Sequence, residues 1–220
     1  MQTHQEGDRQ RAAEELSPVD IPAAYYDFEF YVSKERMLTY WHQVDEILRI
    51  GPDQMLEVGI GSRIVSSVVG SFGVGTTTAD INAELRPDVV TTIVKLDEHF
   101  EEGQFPFVLC ARLLQHLPFD EFEPSLRQLH RVTADHVLLT LPVETLRVYA
   151  RFRVTGRRGG TISLPLPLFV KRLLQGPEPE EEKRQNFWKI NQLSGTSMAK
   201  IKAILGRMFV VEKPIRFPRT

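Results

Sequence analysis

Met55-Leu56-Glu57-Val58-Gly59-Ile60-Gly61-Ser62-Arg63 is the stretch that decides how this chain folds. An apolar strand runs into a glycine-paired turn, and an acid, Asp80, follows Gly59 by 21 positions after a second strand. That arrangement describes a nucleotide-like cofactor held at the carboxyl edge of a parallel sheet. The glycines let the backbone approach the ligand closely, and the acid accepts hydrogen bonds from ribose hydroxyls. The third glycine of the dinucleotide fingerprint is absent, because Ile64 stands in its place. Without it a helix and strand cannot close up beside a pyrophosphate, which argues against an NAD-dependent oxidoreductase.

Outward from this turn the pattern alternates strand and helix. Strands are expected at Met55–Val58, Thr76–Ile81, Asp88–Val94, Phe107–Ala111 and His136–Leu141, the last closed by Pro142. Helices are expected over Arg63–Val69 and Phe122–Val132. Near-continuous apolar strands in such an alternation imply a parallel sheet covered on both faces. Before the turn, Leu38, Trp41, Val44, Ile47 and Leu48 recur at helical spacing and Gly51-Pro52 stops the run. Tyr25, Tyr26, Phe28, Phe30 and Tyr31 precede that helix as packing rings or as part of a lid. After Pro142 regularity breaks: residues 145–192 read as an insertion, with the solvated charge run Glu178–Glu182 inside it. A last helix over Ser197–Gly206 leads to a sixth strand at Met208–Glu212, and only Ile215–Phe217 is left for a seventh, between two prolines.

The domain plan that follows is a flexible tail at 1–18 and one domain over 19–220, with a helical cap at 19–50 and the insertion at 145–192. The 220 residues are 42% hydrophobic and carry a net charge of −2, so no overall basic field recruits nucleic acid. The single cysteine, Cys110, lies in an apolar run and reads as a core residue, and a reducing compartment is expected. With no apolar run of about 18 residues, the expectation is a cytoplasmic protein with no membrane partner.

Leu56-Glu57-Val58-Gly59-Ile60-Gly61, Asp80, and Leu113-Leu114-Gln115-His116-Leu117-Pro118 after the fourth strand together resemble class I S-adenosylmethionine-dependent methyltransferases. The resemblance covers roughly residues 36–142, and Asn186-Phe187-Trp188 also looks like a segment found in bacterial members of this group. It implies an α/β fold, Rossmann-like and doubly wound, with a mostly parallel sheet, helices on both faces and an inserted lid after strand five. It implies S-adenosyl-L-methionine as cofactor. Glu57, Gly59 and Gly61 would border its methionine half, Asp80 its ribose, and Ile81 and Ile93 its adenine, with Ala111 and Arg112 beneath the sulfonium. A methyltransferase turn wraps an amino-acid tail and has no pyrophosphate to accommodate, so Ile64 is in keeping with it.

Catalysis would be in-line methyl displacement, in which positioning does much of the work and a base helps a hydroxyl acceptor. His116 is the histidine nearest the expected cleft and is the candidate base, against a plain capping role. Arg63 or Arg36 would neutralise the methionine carboxylate. No metal is expected. Thr92, Pro106 and Arg112 stand where the family often has acids, which motivates a catalytically silent binding module as the alternative. The acceptor is expected to be a small molecule, with a homodimer left open. A nucleic-acid methyltransferase is the lesser option: the Asn/Asp-Pro-Pro-Tyr/Phe motif is missing, although Arg147, Arg151, Arg153, Arg157 and Arg158 form a basic cluster suited to an anion.

Overall fold

A computed structural model describes Tyr26 and residues 33–143, 146–152, 160–166, 187–191 and 194–212, of which 146–152 and 160–166 are described as backbone. The expected 1–18 tail, the other aromatic residues before Ser33, the charge run Glu178–Glu182 and the strand Ile215–Phe217 lie outside the described residues.

Helix α1 (Lys34–Ile50) begins where the Ser33 side chain accepts from the Arg36 N–H. It ends at Gly51, whose left-handed backbone (φ 70°) lets its N–H return to the Ile47 carbonyl. The strands that follow are β1 (Gln54–Val58), β2 (Gly75–Asp80), β3 (Val89–Val90), β4 (Phe105–Ala111) and β5 (Thr133–Thr140). They form one parallel sheet in the order β3-β2-β1-β4-β5. Helix α2 (Ile64–Ser71) connects β1 to β2, and α3 (Phe122–Val132) connects β4 to β5.

Period-two alternation divides the core. Met55, Phe107 and Leu109 face α1 and α2, packing with Ile47, Val65 and Val69. Leu56, Val58, Val108 and Cys110 face the other way, onto α3 and onto α4 (Met198–Leu205), which Ser197 caps. The buried positions of α3, Phe122, Ser125, Leu126, Leu129 and Val132, recur at helical spacing. Helices thus cover both faces, as expected.

Four expectations need correction. Leu38 and Trp41 do not join α1 to the sheet; Trp41 is 57% exposed. Leu38 precedes the buried Ile47 by nine residues, which at about 100° per residue puts it on the opposite side of the helix. The third strand is Val89–Val90 alone, because the chain turns into a 3-10 segment, Ile93–Glu98, whose Ile93 and Leu96 enter the core. The insertion contains an antiparallel hairpin, β6 (Leu146–Phe152) with β7 (Gly160–Leu166), which forms a sheet of its own. Met208–Glu212 is not a strand. Met208 and Phe209 turn back on the end of α4 by donating N–H groups to the Leu205 carbonyl, and Val210 is 97% exposed. Beside β5 the chain instead brings Ile190, which bridges Val143 in parallel sense and donates to the Pro142 carbonyl at 2.9 Å.

Candidate functional site

The carboxyl ends of β1 and β4 open into a cleft lined by the glycine turn, one face of α1 and the residues that follow β4. The glycine turn forms its floor. Gly59 has φ +80°, and its N–H continues the β1–β2 ladder to the Ala79 carbonyl at 2.8 Å. A Cβ there would stand 3.3 Å from the Leu113 side chain, on backbone that favours glycine. Gly61 is also left-handed. Asp80 ties the turn to the end of β2: Oδ2 accepts from the Ile60 N–H at 2.9 Å and Oδ1 from the Asn82 N–H at 2.8 Å. The backbone N–H groups of Ile81 and Gly61 also approach this carboxylate, so it gathers the turn and the end of β2 around one acceptor. Burial raises its pKa, while the backbone N–H groups around it pull the other way.

Glu57 occupies the β1 position whose side faces α1 and α2, where Met55 is apolar. It is buried, and burial pushes its carboxyl up to about 7, against hydrogen bonds from Ser66 and the Arg63 charge. Among the described residues its Oε2 has no hydrogen-bond partner. The opposite wall is one stripe of α1: Arg36, Thr39, Tyr40 and Gln43. The Ser62 hydroxyl donates to Tyr40 Oη at 3.2 Å, and Gln43 donates through Nε2 to Thr140 Oγ1 at 3.1 Å, leaving its Oε1 buried with no partner among the described residues. Ala111 and Arg112 close the far side, with Arg112 left-handed (φ 53°) and its N–H on the Thr140 carbonyl.

No family model matches the chain, and no curated protein matches its sequence. Among solved structures, magnesium protoporphyrin IX methyltransferase from Synechocystis PCC 6803, bound to S-adenosylhomocysteine, aligns at 15% identity over 84% of this chain and 79% of its own, with a TM-score of 0.52. The N-methyltransferase NodS from Bradyrhizobium japonicum WM9 aligns at 11% identity over 71% of this chain and 97% of its own, with a TM-score of 0.45. The chain has the class I S-adenosylmethionine-dependent methyltransferase fold.

Within this methyltransferase fold the structure gathers some of the sequence candidates and disperses others. Arg36, Glu57, Gly59, Gly61, Ala111 and Arg112 line the cleft, with Asp80 hydrogen-bonded to its wall. Arg63 is turned elsewhere. Its guanidinium donates to the Leu85 carbonyl at 3.0 and 2.8 Å and to the Arg86 carbonyl, which spends most of its donors on the loop after β2. Of the two arginines considered, Arg36 is the one at the cleft. Ile81 is not among the lining residues, and Ile93 is buried in the core, 5% exposed as a whole residue. His116 ends a 3-10 turn, Leu114–His116, with its Nε2 3.2 Å from Gln115 Nε2, and it too is not a lining residue.

Thr39, Tyr40 and Gln43 were not foreseen. Their signal was legible: polar and aromatic residues at i, i+3, i+4 and i+7 from Arg36 mark a helix stripe with no apolar core to face. Phe187 and Trp188 brace the site from behind. The Phe187 N–H donates to the Gln115 carbonyl at 2.8 Å, and Trp188, fully buried, donates to the Leu117 carbonyl at 3.1 Å with Phe119 and Phe122 edge-on to its ring.

Proposed function

We propose that this protein is an S-adenosyl-L-methionine-dependent methyltransferase acting on a small-molecule acceptor by in-line displacement. The observation that carries the proposal is the cleft itself: a glycine turn with a buried, under-bonded carboxyl, Glu57, on one side and the cationic Arg36 on the other. That pairing fits an amino-acid tail. Glu57 Oε2 accepts from an ammonium, and Arg36 pairs with a carboxylate. Asp80 accepts from ribose hydroxyls, Ile81 and the Ile93 backbone flank adenine, and Gly59 and Gly61 keep side chains out of the way. Ala111 and Arg112 stand at the reacting end. The cofactor supplies a methyl group activated by a sulfonium. The chain's own residues hold that tail and floor in place and exclude water, which is where the acceleration arises. His116 stands outside the cleft wall and is given no proton to move.

Isothermal calorimetry with S-adenosylhomocysteine tests this reading. Binding at one site per chain is expected, and the absence of heat at millimolar ligand overturns it. A second reading, a binding module without turnover, is favoured by one residue: the Arg112 cation at the cleft opposes a sulfonium more than it opposes the neutral thioether product. If the homologue binds and labelled methyl groups reach no acceptor in a broad panel, that second reading stands.

A further inference from the structure

The β6–β7 ribbon pairs with no strand of the main sheet, and among the described elements neither strand has a substantial neighbour other than its partner. A lone two-stranded hairpin is marginal in water and needs a surface to lie on. Its register separates two faces, since directly opposed residues share a face and successive ones alternate. Arg147, Tyr149 and Arg151 stand opposite Pro165, Ser163 and Thr161. Leu146, Val148, Ala150 and Phe152 stand opposite Leu166, Leu164, Ile162 and Gly160. One face is cationic and polar; the other is hydrocarbon from end to end. No Asp or Glu occurs between Glu144 and Glu178 in a chain whose net charge is −2.

We propose that this hairpin is a docking surface for an anionic lipid bilayer. A ribbon with one apolar face and two arginines on the opposite face suits the plane of the headgroup boundary of a bilayer. Arginine stems are long and apolar enough to reach back to the phosphates. A nucleic acid would neutralise the arginines and leave the apolar face uncovered, and a purely apolar protein groove would leave the charge unexplained. The contact is superficial. No described helix is long and apolar enough to cross a membrane, and seven-residue strands fall short of the roughly 9–11 residues that span one.

Cosedimentation of the full chain with vesicles tests the assignment, using phosphatidylcholine alone and phosphatidylcholine mixed with phosphatidylglycerol. Binding is expected to the mixed vesicles, to weaken with added salt, and to be far lower on the neutral ones. The double variant Arg147→Gln and Arg151→Gln is expected to weaken partitioning about 25-fold, from roughly fivefold per basic residue at an anionic surface. The variant Val148→Ser and Ile162→Ser keeps the charge and is expected to lose binding as well, while the thermal midpoint of the main domain stays in place for both. Three results overturn the proposal: no preference for anionic vesicles, binding that survives the arginine pair, or binding that survives the serine pair. Competition of a DNA or RNA duplex for the wild type that is lost with the arginine pair and kept with the serine pair also overturns it, in favour of a nucleic-acid surface.

Discussion

Glu57→Gln should stabilise the protein at alkaline pH and weaken cofactor binding in the same stroke. Glu57 is almost entirely buried, and burial carries its pKa from 4.5 to about 7. The unfolded chain therefore ionises this group at lower pH than the folded one does. Between roughly pH 4.5 and 7 the folded state binds more protons, so stability falls as pH rises through that window and levels off above it. A displacement of this size corresponds to about 3 kcal/mol. Glutamine keeps an acceptor for the Ser66 hydrogen bonds and has no charge to desolvate, so it escapes the loss. Urea denaturation at pH 5 and pH 8 measures it. The variant is expected to gain about 2.5 kcal/mol on the wild type between the two pH values, or roughly 5–10 °C in midpoint for a chain this size. A gap between variant and wild type that is the same at both pH values refutes the reasoning. At pH 8 the variant should also bind S-adenosylhomocysteine at least tenfold more weakly, because the ionised carboxylate is gone.

Arg36→Ala and Arg63→Ala are expected to separate ligand binding from folding. The first should lower S-adenosylhomocysteine affinity about tenfold or more by calorimetry with little change in midpoint, as befits a charged contact at the cleft. The second should leave affinity nearly unchanged and cost about 1–3 kcal/mol in denaturant, since it strips donors from the Leu85 and Arg86 carbonyls. Trp188→Ala should cost about 3–5 kcal/mol by the same assay, because a fully buried ring and its hydrogen bond to Leu117 are lost together.

The sheet was legible because its central strands, β1 and β4, are buried on both faces. Continuous apolar runs at β1, β4 and β5 and the α3 periodicity each survive any error of a residue or two at their ends. What was not legible depends on pairing or on competition between side chains. β3 shrinks to two residues because Asp88 spends its carboxylate on Thr78, accepting from the N–H at 2.8 Å and from the hydroxyl at 2.6 Å, and the chain then turns. That lateral tie also holds the Asp88 carboxyl below its usual pKa, and no periodicity announces it. The sixth strand failed for a similar reason. Met208 and Phe209 are apolar enough for a strand, yet they pack on the core beside α3, where Phe209 meets the His130 ring edge-on.

The arginines make the same point about the site. Arg63 follows the glycine turn directly and sits at a helix start, so sequence proximity recommends it as the carboxylate partner. A residue at the left-handed N-cap of α2 (φ 57°) instead sends its side chain across to the β2 loop, where two carbonyls need donors. Arg36 is more than twenty residues away in sequence, and only the packing of α1 over the carboxyl edge brings it to the cleft. The arginines of the insertion were visible as a cluster, and composition alone reads them as a solvated loop or an anion site with no membrane in view. Register is what sorts them from the apolar residues between them: Arg147 and Arg151 share a face because they are four apart in a strand, whereas in a helix or a loop the same spacing would mean something else. The lipid-surface proposal therefore stands or falls with the pairing of Arg147 with Pro165 and Arg151 with Thr161. A one-residue slip would pair Arg147 with Leu164 or Leu166 and merge the two faces, so a register-shifted hairpin, detectable by cross-strand disulfide trapping at positions 149 and 163, would remove the physical basis for docking.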